Sequence, residues 1–163
     1  LARFSERLQG LRPSRVRAVA TQTLREARNR DEFLSMGSQI LGFPIEVISG
    51  MEEGRLIFQG VTHLLPHSAE RRLVIDIGGR STEVISGTGY APKKVASYRV
   101  GSVSSSIKNF KQGEITAQSL HKAEVAAQAI IDDALSQFPK TDWDLVYGSS
   151  GTVGAVALSL IHI

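Results

Sequence analysis

The sequence predicts an α/β fold. Runs typical of strands and helices alternate along the chain, first in the order βαβα and then in the order βββαβα. The 163 residues are 42% hydrophobic, which is enough to bury a core and excludes collagen-like and disordered classes. The absence of cysteine excludes a disulfide framework and thiolate metal sites.

The first part of the chain predicts two strands and two helices. Residues 15–20 alternate apolar and polar side chains, as a half-buried strand does. Thr23 followed by Glu26 is the pattern of a capping box and predicts the start of a long helix. The four elements in order are a strand at 15–20, a helix at 21–41, a strand at 45–48 and a helix at 52–63.

The second part predicts three strands, a long helix, a further strand and the start of another helix. A polar linker at residues 66–72 precedes it. Gly78, Gly79 and Arg80 between two β-rich runs are a strong hairpin signal. The predicted elements in order are strands at 73–77, 82–86 and 94–100, a helix at 116–138, a strand at 143–147 and a helix that begins near residue 152.

Positive charge is concentrated at the beginning of the chain. The formal net charge is +3, yet residues 1–30 hold eight arginines against Glu6 and Glu26. Such a basic face favours an anionic partner such as a nucleotide, a polyphosphate or a nucleic acid. The alternative interpretation is a solvated helix face without a specific partner.

The chain begins with Leu1 rather than Met and ends inside an apolar run, so we expect it to be a piece of a longer protein. No apolar run reaches the ~18 residues that span a membrane, and no secretory leader opens the chain. We therefore expect a cytoplasmic protein without a membrane span.

The residues around the predicted hairpin form the first candidate site. A strand leads through Asp76 to Gly78 and Gly79, and Glu83 follows on the return strand. Glycines let backbone N–H groups approach a phosphate, and flanking carboxylates can hold Mg²⁺ or position a water. Arg80 at the tip adds a donor suited to phosphate. Considered without the flanking residues, the two glycines can also be explained as a simple turn that binds no phosphate.

Adjacent carboxylates at a strand-to-helix junction form the second candidate site. In a purely structural interpretation, Glu52 and Glu53 stabilise the positive end of the helix that follows. Successive helical side chains point about 100° apart, so one acid can cap the helix while the other enters a cleft as a general base.

Two further segments are candidates for anion binding. Arg25 follows a predicted strand and lies early in a predicted helix, and its alternative role is that of a surface arginine. A turn of small residues before the last helix has the geometry of an anion or nucleotide site, although such turns often only connect elements. Its members are Gly148, Ser149, Ser150, Gly151 and Thr152.

The motifs ATQTLREARN, IEVISGMEEGRLIF, LVIDIGGRSTEVI, RVGSVS and YGSSGTVGAVA together resemble the exopolyphosphatase / guanosine pentaphosphate phosphatase family of the actin–sugar kinase–heat-shock ATPase superfamily. The resemblance implies a ribonuclease H-like fold of two lobes. Residues 1–57 would be the second half of the first lobe, and residues 58–163 a truncated second lobe. The site would lie in the cleft between the lobes.

The resemblance also implies roles for the candidate residues. Glu53 matches the glutamate that activates water, and Asp76 and Glu83 would bind Mg²⁺ or order that water. Arg25 would reach the phosphate from the first lobe. The second phosphate loop would consist of Gly78, Gly79, Arg80 and Ser81, and residues 148–152 match the loop that lies by the adenosine in nucleotide-binding relatives.

The implied activity is release of terminal orthophosphate from inorganic polyphosphate, and also conversion of pppGpp to ppGpp. The resemblance further implies a homodimer, and no specific nucleic-acid partner is expected. Two departures stand out: Arg80 replaces the usual third glycine, and the family's first phosphate loop is absent from this sequence. We therefore expect the chain alone to be inactive. The alternatives are an actin-like ATPase or sugar kinase, and a non-catalytic sensor that binds polyphosphate or guanosine tetraphosphate.

Overall fold

A computed structural model describes residues 1–161 of the chain, so the last two residues of the predicted second lobe, His162 and Ile163, lie outside the described range. The chain divides into two compact units, Leu1–Ser49 and a second unit that begins at Gly50. The lobe boundary predicted at residue 57 falls inside the helix α4 (Gly50–His63), and the predicted linker at 66–72 lies within the second unit. Gly54 of α4 precedes that boundary and packs within the second unit, since an added Cβ would lie 2.7 Å from Val95 and 3.3 Å from Ile85.

The first unit contains three helices and a two-stranded parallel sheet. Its elements are α1 (Ala2–Leu8), β1 (Ala18–Ala20), α2 (Gln22–Glu26), α3 (Arg30–Leu41) and β2 (Ile45–Val47). Strand β1 pairs with β2 in the register Ala18 to Ile45. Gly42 has φ of 79°, the left-handed conformation that commonly ends a helix, and so terminates α3 as its sequence predicts.

The single helix predicted at 21–41 is wrong, because the structure breaks it into α2 and α3. Ala27 has an extended backbone, and α3 restarts after Asn29, a residue type favoured at helix N-caps. The predicted cap at Thr23 is also wrong: α2 begins at Gln22 after Thr21, so Thr23 lies inside the helix.

The described residues of the second unit form a mixed sheet of four strands, which are β3 (Arg71–Ile77), β4 (Thr82–Thr88), β5 (Ala91–Tyr98) and β6 (Leu145–Ser149). Their order in the sheet is β5-β4-β3-β6. Strands β3, β4 and β5 are antiparallel neighbours, and β6 pairs with β3 in parallel. The α/β fold class is thereby confirmed.

The two faces of this sheet carry separate apolar clusters. On one face, Val74 and Ile85 pack against Phe58 of α4. On the other face, Leu73, Val84 and Ala96 pack against Phe138, which follows the helix α6 (Ala117–Gln137). Successive side chains of a strand point to opposite faces of the sheet, which separates the two clusters.

Two helices of this unit differ from the sequence prediction: one is additional, and the other begins two residues earlier than predicted. The helix α5 (Ser102–Asn109) was not predicted, because its serine-rich first half has weak intrinsic helix propensity. The helix α7 (Ser150–Ile161) follows β6 directly. In the described part of the chain, no helix is both long and apolar enough to cross a membrane.

Candidate functional site

A row of four polar residues crosses the end of the sheet. Asp76 pairs with Glu83 on β4 and with Ser149 on β6, and Glu83 pairs with Ser97 on β5. Directly paired residues point to the same face of a sheet, so all four side chains share one face. It is the face that α4 covers, since Val74 and Ile85 lie two positions further along the same strands.

Glu83 is a buried carboxyl group within this row, with only 1% of its surface exposed. The Ser97 hydroxyl donates a hydrogen bond of 2.7 Å to it. Burial raises the pKa of Glu83, and the negative charges of Glu53 and Asp76 raise it further, while the hydroxyls of Ser97 and Ser81 oppose the shift. Three predicted acidic residues therefore interact at one place.

The start of α4 explains how Glu53 reaches this row. A side chain at Gly50 would collide with Ser97, so the helix begins in close contact with β5 beside Glu83. Glu52 turns elsewhere, because both of its carboxylate oxygens accept hydrogen bonds from Arg55, at 2.7 and 2.9 Å. The two adjacent acids thus have the divergent directions that the helical geometry predicts, and Glu53 is the one coupled to Glu83.

The predicted hairpin joins β3 to β4 through residues 78–81. Gly78 N–H donates to the Ser81 carbonyl at 2.9 Å. A Cβ on Gly79 would lie 3.2 Å from Val103, so close packing accounts for glycine there. Among the described non-glycine residues only Ser150 has positive φ, so the backbone at Arg80 suits an ordinary side chain. Arg80 itself is exposed at the tip.

Ser81 departs from the role expected of a phosphate-loop side chain. It is 4% exposed, and its hydroxyl is hydrogen-bonded to Glu83. The side chain of Ser81 therefore supports the buried carboxyl group.

The turn predicted at residues 148–152 is a direct strand-to-helix junction in the structure. Gly148 and Ser149 end β6, while Ser150, Gly151 and Thr152 begin α7. Ser150 has φ of 79°, an uncommon conformation for a residue with a side chain, and its hydroxyl donates to the Ile77 carbonyl at 2.5 Å. The junction therefore lies at the same end of the sheet as the hairpin.

The start of α5 is the part of this region that sequence reasoning missed. Its N–H groups at Ser102 and Ser104 donate to the carbonyls of Gly78 and Gly79, at 3.0 and 2.9 Å. The Thr152 hydroxyl lies 3.2 Å from that of Ser102. The RVGSVS motif contains these serines, but nothing in its pattern indicated that a helix begins there.

Arg25 belongs to the first unit and is held at the end of its small sheet. Its Nη1 donates to the Ile48 carbonyl at 2.7 Å, and its Nε donates to Gln22 at 2.8 Å. These bonds fix the guanidinium beside the end of β2. Its contact with a phosphate stays a prediction.

Within the described residues, no group of three or more histidine, aspartate or glutamate side chains is arranged to hold a metal ion by itself. Asp76 and Glu83 nevertheless offer hard carboxylate oxygens on one face. Mg²⁺ is usually bound by one or two carboxylates together with water and substrate phosphate, so these two residues suit it without a complete protein cage.

Comparisons with known proteins identify relatives of the chain. The model of the Ppx/GppA phosphatase family matches residues 1–160. A curated guanosine-5'-triphosphate,3'-diphosphate pyrophosphatase of Vibrio cholerae serotype O1 is 43% identical over 156 residues. That match covers 96% of this chain but 31% of the relative, so the chain spans about a third of the relative's length.

Solved structures show the same similarity. The Ppx/GppA enzyme of Aquifex aeolicus superposes with a TM-score of 0.75 at 29% identity, over 99% of this chain and 52% of that one. A structure described as an exopolyphosphatase-like protein superposes with a TM-score of 0.77 at 32% identity, over 84% of this chain and 44% of the other.

Proposed function

The chain belongs to the Ppx/GppA phosphatase family, and on that basis we propose that the whole protein containing it hydrolyses phosphoanhydride bonds. The proposed substrates are inorganic polyphosphate, from which terminal orthophosphate is released, and pppGpp, which is converted to ppGpp. The observation that carries the proposal is the interaction of Glu53, Asp76 and Glu83 beside the hairpin of residues 78–81.

Glu53 is proposed as the general base that activates the attacking water. It lies in the first turn of α4 and is electrostatically coupled to the acid row, whereas Glu52 is engaged by Arg55. Phosphoanhydride hydrolysis depends on an aligned water and on stabilisation of phosphoryl charge more than on a covalent intermediate with the enzyme. A carboxylate that accepts a proton from water at this position supplies the first requirement.

Phosphate binding is assigned to backbone and cationic groups. In the hairpin of Gly78, Gly79 and Arg80, the Gly78 N–H already donates to Ser81, so the amides of Gly79 and Arg80 are proposed to bind the phosphate. Arg80 is exposed, and its guanidinium adds a charged donor suited to phosphate oxygens. Arg25 is also proposed to bind phosphate through its guanidinium, which hydrogen bonds to Gln22 and Ile48 hold in place. The junction of Ser149, Ser150 and Thr152 would lie against the nucleoside part of pppGpp.

Asp76 and Glu83 are the residues proposed to hold Mg²⁺. The ion, when bound, would neutralise charge on the phosphoryl oxygens of the substrate. The Ser97 hydroxyl fixes the orientation of the Glu83 carboxylate, and the cross-strand pairing fixes Asp76 beside it.

A parallel phosphate-release assay on the whole protein tests this proposal. Long-chain polyphosphate, pppGpp and ATP are supplied at equal phosphoanhydride concentration with Mg²⁺. We expect release from polyphosphate or pppGpp to exceed release from ATP. Preferred turnover of ATP would support an actin-like ATPase instead, and tight binding of polyphosphate or ppGpp without any release would support a sensor; either result would overturn the proposal.

A further inference from the structure

The first turn of α5 is fitted to the backbone of the hairpin. The N–H groups of Ser102 and Ser104 donate to the carbonyls of Gly78 and Gly79. A Cβ at Gly101 would lie 2.5 Å from the Arg80 nitrogen and 2.7 Å from the Gly78 oxygen, so only glycine permits this approach. N–H groups at the start of a helix have no partner within it, and here the hairpin supplies the acceptors.

These hydrogen bonds fix the direction of two hairpin amides. In a trans peptide, the C=O and N–H groups point in opposite directions, and the described peptide bonds are all trans. The Gly78 and Gly79 carbonyls point toward α5. The N–H groups of the next residues, Gly79 and Arg80, therefore point away from α5.

The side to which these amides point is the side of the acid row. Thr82 pairs with Ile77 and Tyr98. These three residues come one position after or before the acid row along their strands, so their side chains lie on the opposite face of the sheet. Its hydroxyl donates to the Val100 carbonyl at 2.7 Å, immediately before α5. The segment that leads into α5 therefore approaches from the opposite face, and the Gly79 and Arg80 amides are directed toward the face of Asp76 and Glu83.

We propose that the start of α5, residues 101–104, is a positioning element for the phosphate-binding hairpin. It holds the amides of Gly79 and Arg80 in the direction that a phosphoryl oxygen requires, without touching the substrate itself. Donors fixed in advance stabilise charge in a transition state without reorganisation, which is where their catalytic effect arises. This inference rests on the proposed function of the hairpin.

Ser102→Pro in the whole protein tests the inference. Proline is tolerated at the first position of a helix, and the extended backbone of Gly101 (φ −155°, ψ 166°) suits a residue before proline. The substitution removes the N–H that binds Gly78 and leaves α5 able to form. It also removes the hydroxyl that contacts Thr152, whereas Gly101→Ala keeps that hydroxyl. Ala117→Pro is the matched control, because Ala117 is the exposed first residue of α6 and Thr116 before it is also extended.

We expect Ser102→Pro to lower kcat by about tenfold or more, with KM changed by less than about threefold. Hydrogen exchange should accelerate in residues 77–83 and stay unchanged in α6. Ala117→Pro should alter neither kcat nor exchange in the hairpin. Gly101→Ala, whose added Cβ would push the hairpin away, is expected to reproduce both effects and decides the matter should Ser102→Pro fail to fold.

The inference is overturned if either folded variant keeps kcat within about twofold of the unsubstituted protein while exchange in residues 77–83 accelerates. It is also overturned if kcat falls equally in Ala117→Pro. These outcomes presuppose that the unsubstituted protein releases phosphate. An inactive unsubstituted protein would contradict the proposed function instead, and the two failures are thereby separated.

Discussion

Asp76 and Glu83 are direct cross-strand partners on β3 and β4, and their carboxyl groups lie on the same face of the sheet. Like charges in directly opposed positions destabilise a sheet. The cost is increased here because Glu83 is buried and the charge of Glu53 also acts on it. An arrangement that costs stability without an evident structural benefit is typical of a functional site.

Glu83→Gln is expected to increase stability while it lowers activity. Burial raises the pKa of Glu83 above its ordinary value of 4.5, so the folded protein loses stability as pH rises from 4.5 through the folded-state pKa. Glutamine has no charge, so this loss disappears. The thermal midpoint of the variant, measured with a chelator present, should therefore rise relative to the unsubstituted protein between pH 4 and 8. A variant less stable at pH 8 would contradict the account.

Ser97→Ala is expected to destabilise the second unit by about 1–3 kcal/mol, because it removes the 2.7 Å donor to a buried carboxyl group. Urea denaturation measures the effect, and combination with Glu83→Gln should reduce it. Ser159→Ala removes an exposed hydroxyl bond within α7 and serves as the control. Equal effects of the two serine substitutions would refute a specific role for Ser97.

Two glycines of α4 should respond in opposite ways to alanine. A Cβ at Gly54 would lie 2.7 Å from Val95 and 3.3 Å from Ile85, so Gly54→Ala should destabilise by about 1–3 kcal/mol. Gly60 has no neighbour within 4 Å of such a Cβ, so Gly60→Ala should stabilise by about 0.5–1 kcal/mol through helix propensity. Chemical denaturation of both variants checks whether this helix packs on the sheet through Gly54.

The pair formed by Arg71 and Asp144 predicts a specific acid sensitivity. Hydrogen bonds from the Arg71 side chain and backbone lower the pKa of Asp144 from 3.8 to about 2. The stability that the pair provides is complete above the ordinary pKa and is lost as pH falls from about 4 through 2. The stability difference between Asp144→Asn and the unsubstituted protein should shrink over that range. A difference that stays constant from pH 6 to pH 2 would show that the ion pair does not contribute.

Much of the fold and of the candidate site follows from local sequence patterns. The strands around Gly78 and Gly79 are predicted because β-rich runs flank a hairpin signal, and the divergence of Glu52 and Glu53 follows from helical geometry. The sequence does not predict α5, because its serine-rich start has weak helix propensity and the acceptors of its first N–H groups lie in a hairpin distant in sequence. The burial of Glu83 and Ser81 depends on how α4 and β5 pack at the end of the sheet, which a strand pattern does not specify.

Glu53→Gln in the whole protein tests whether Glu53 activates water at the acid row. Glu52→Gln is the matched control, because Glu52 is paired with Arg55. We expect Glu53→Gln to lower phosphate release from polyphosphate or pppGpp by about 10²–10⁴-fold while substrate still binds. Glu52→Gln should retain phosphate release. Phosphate release by Glu53→Gln at the rate of the unsubstituted protein would contradict the account.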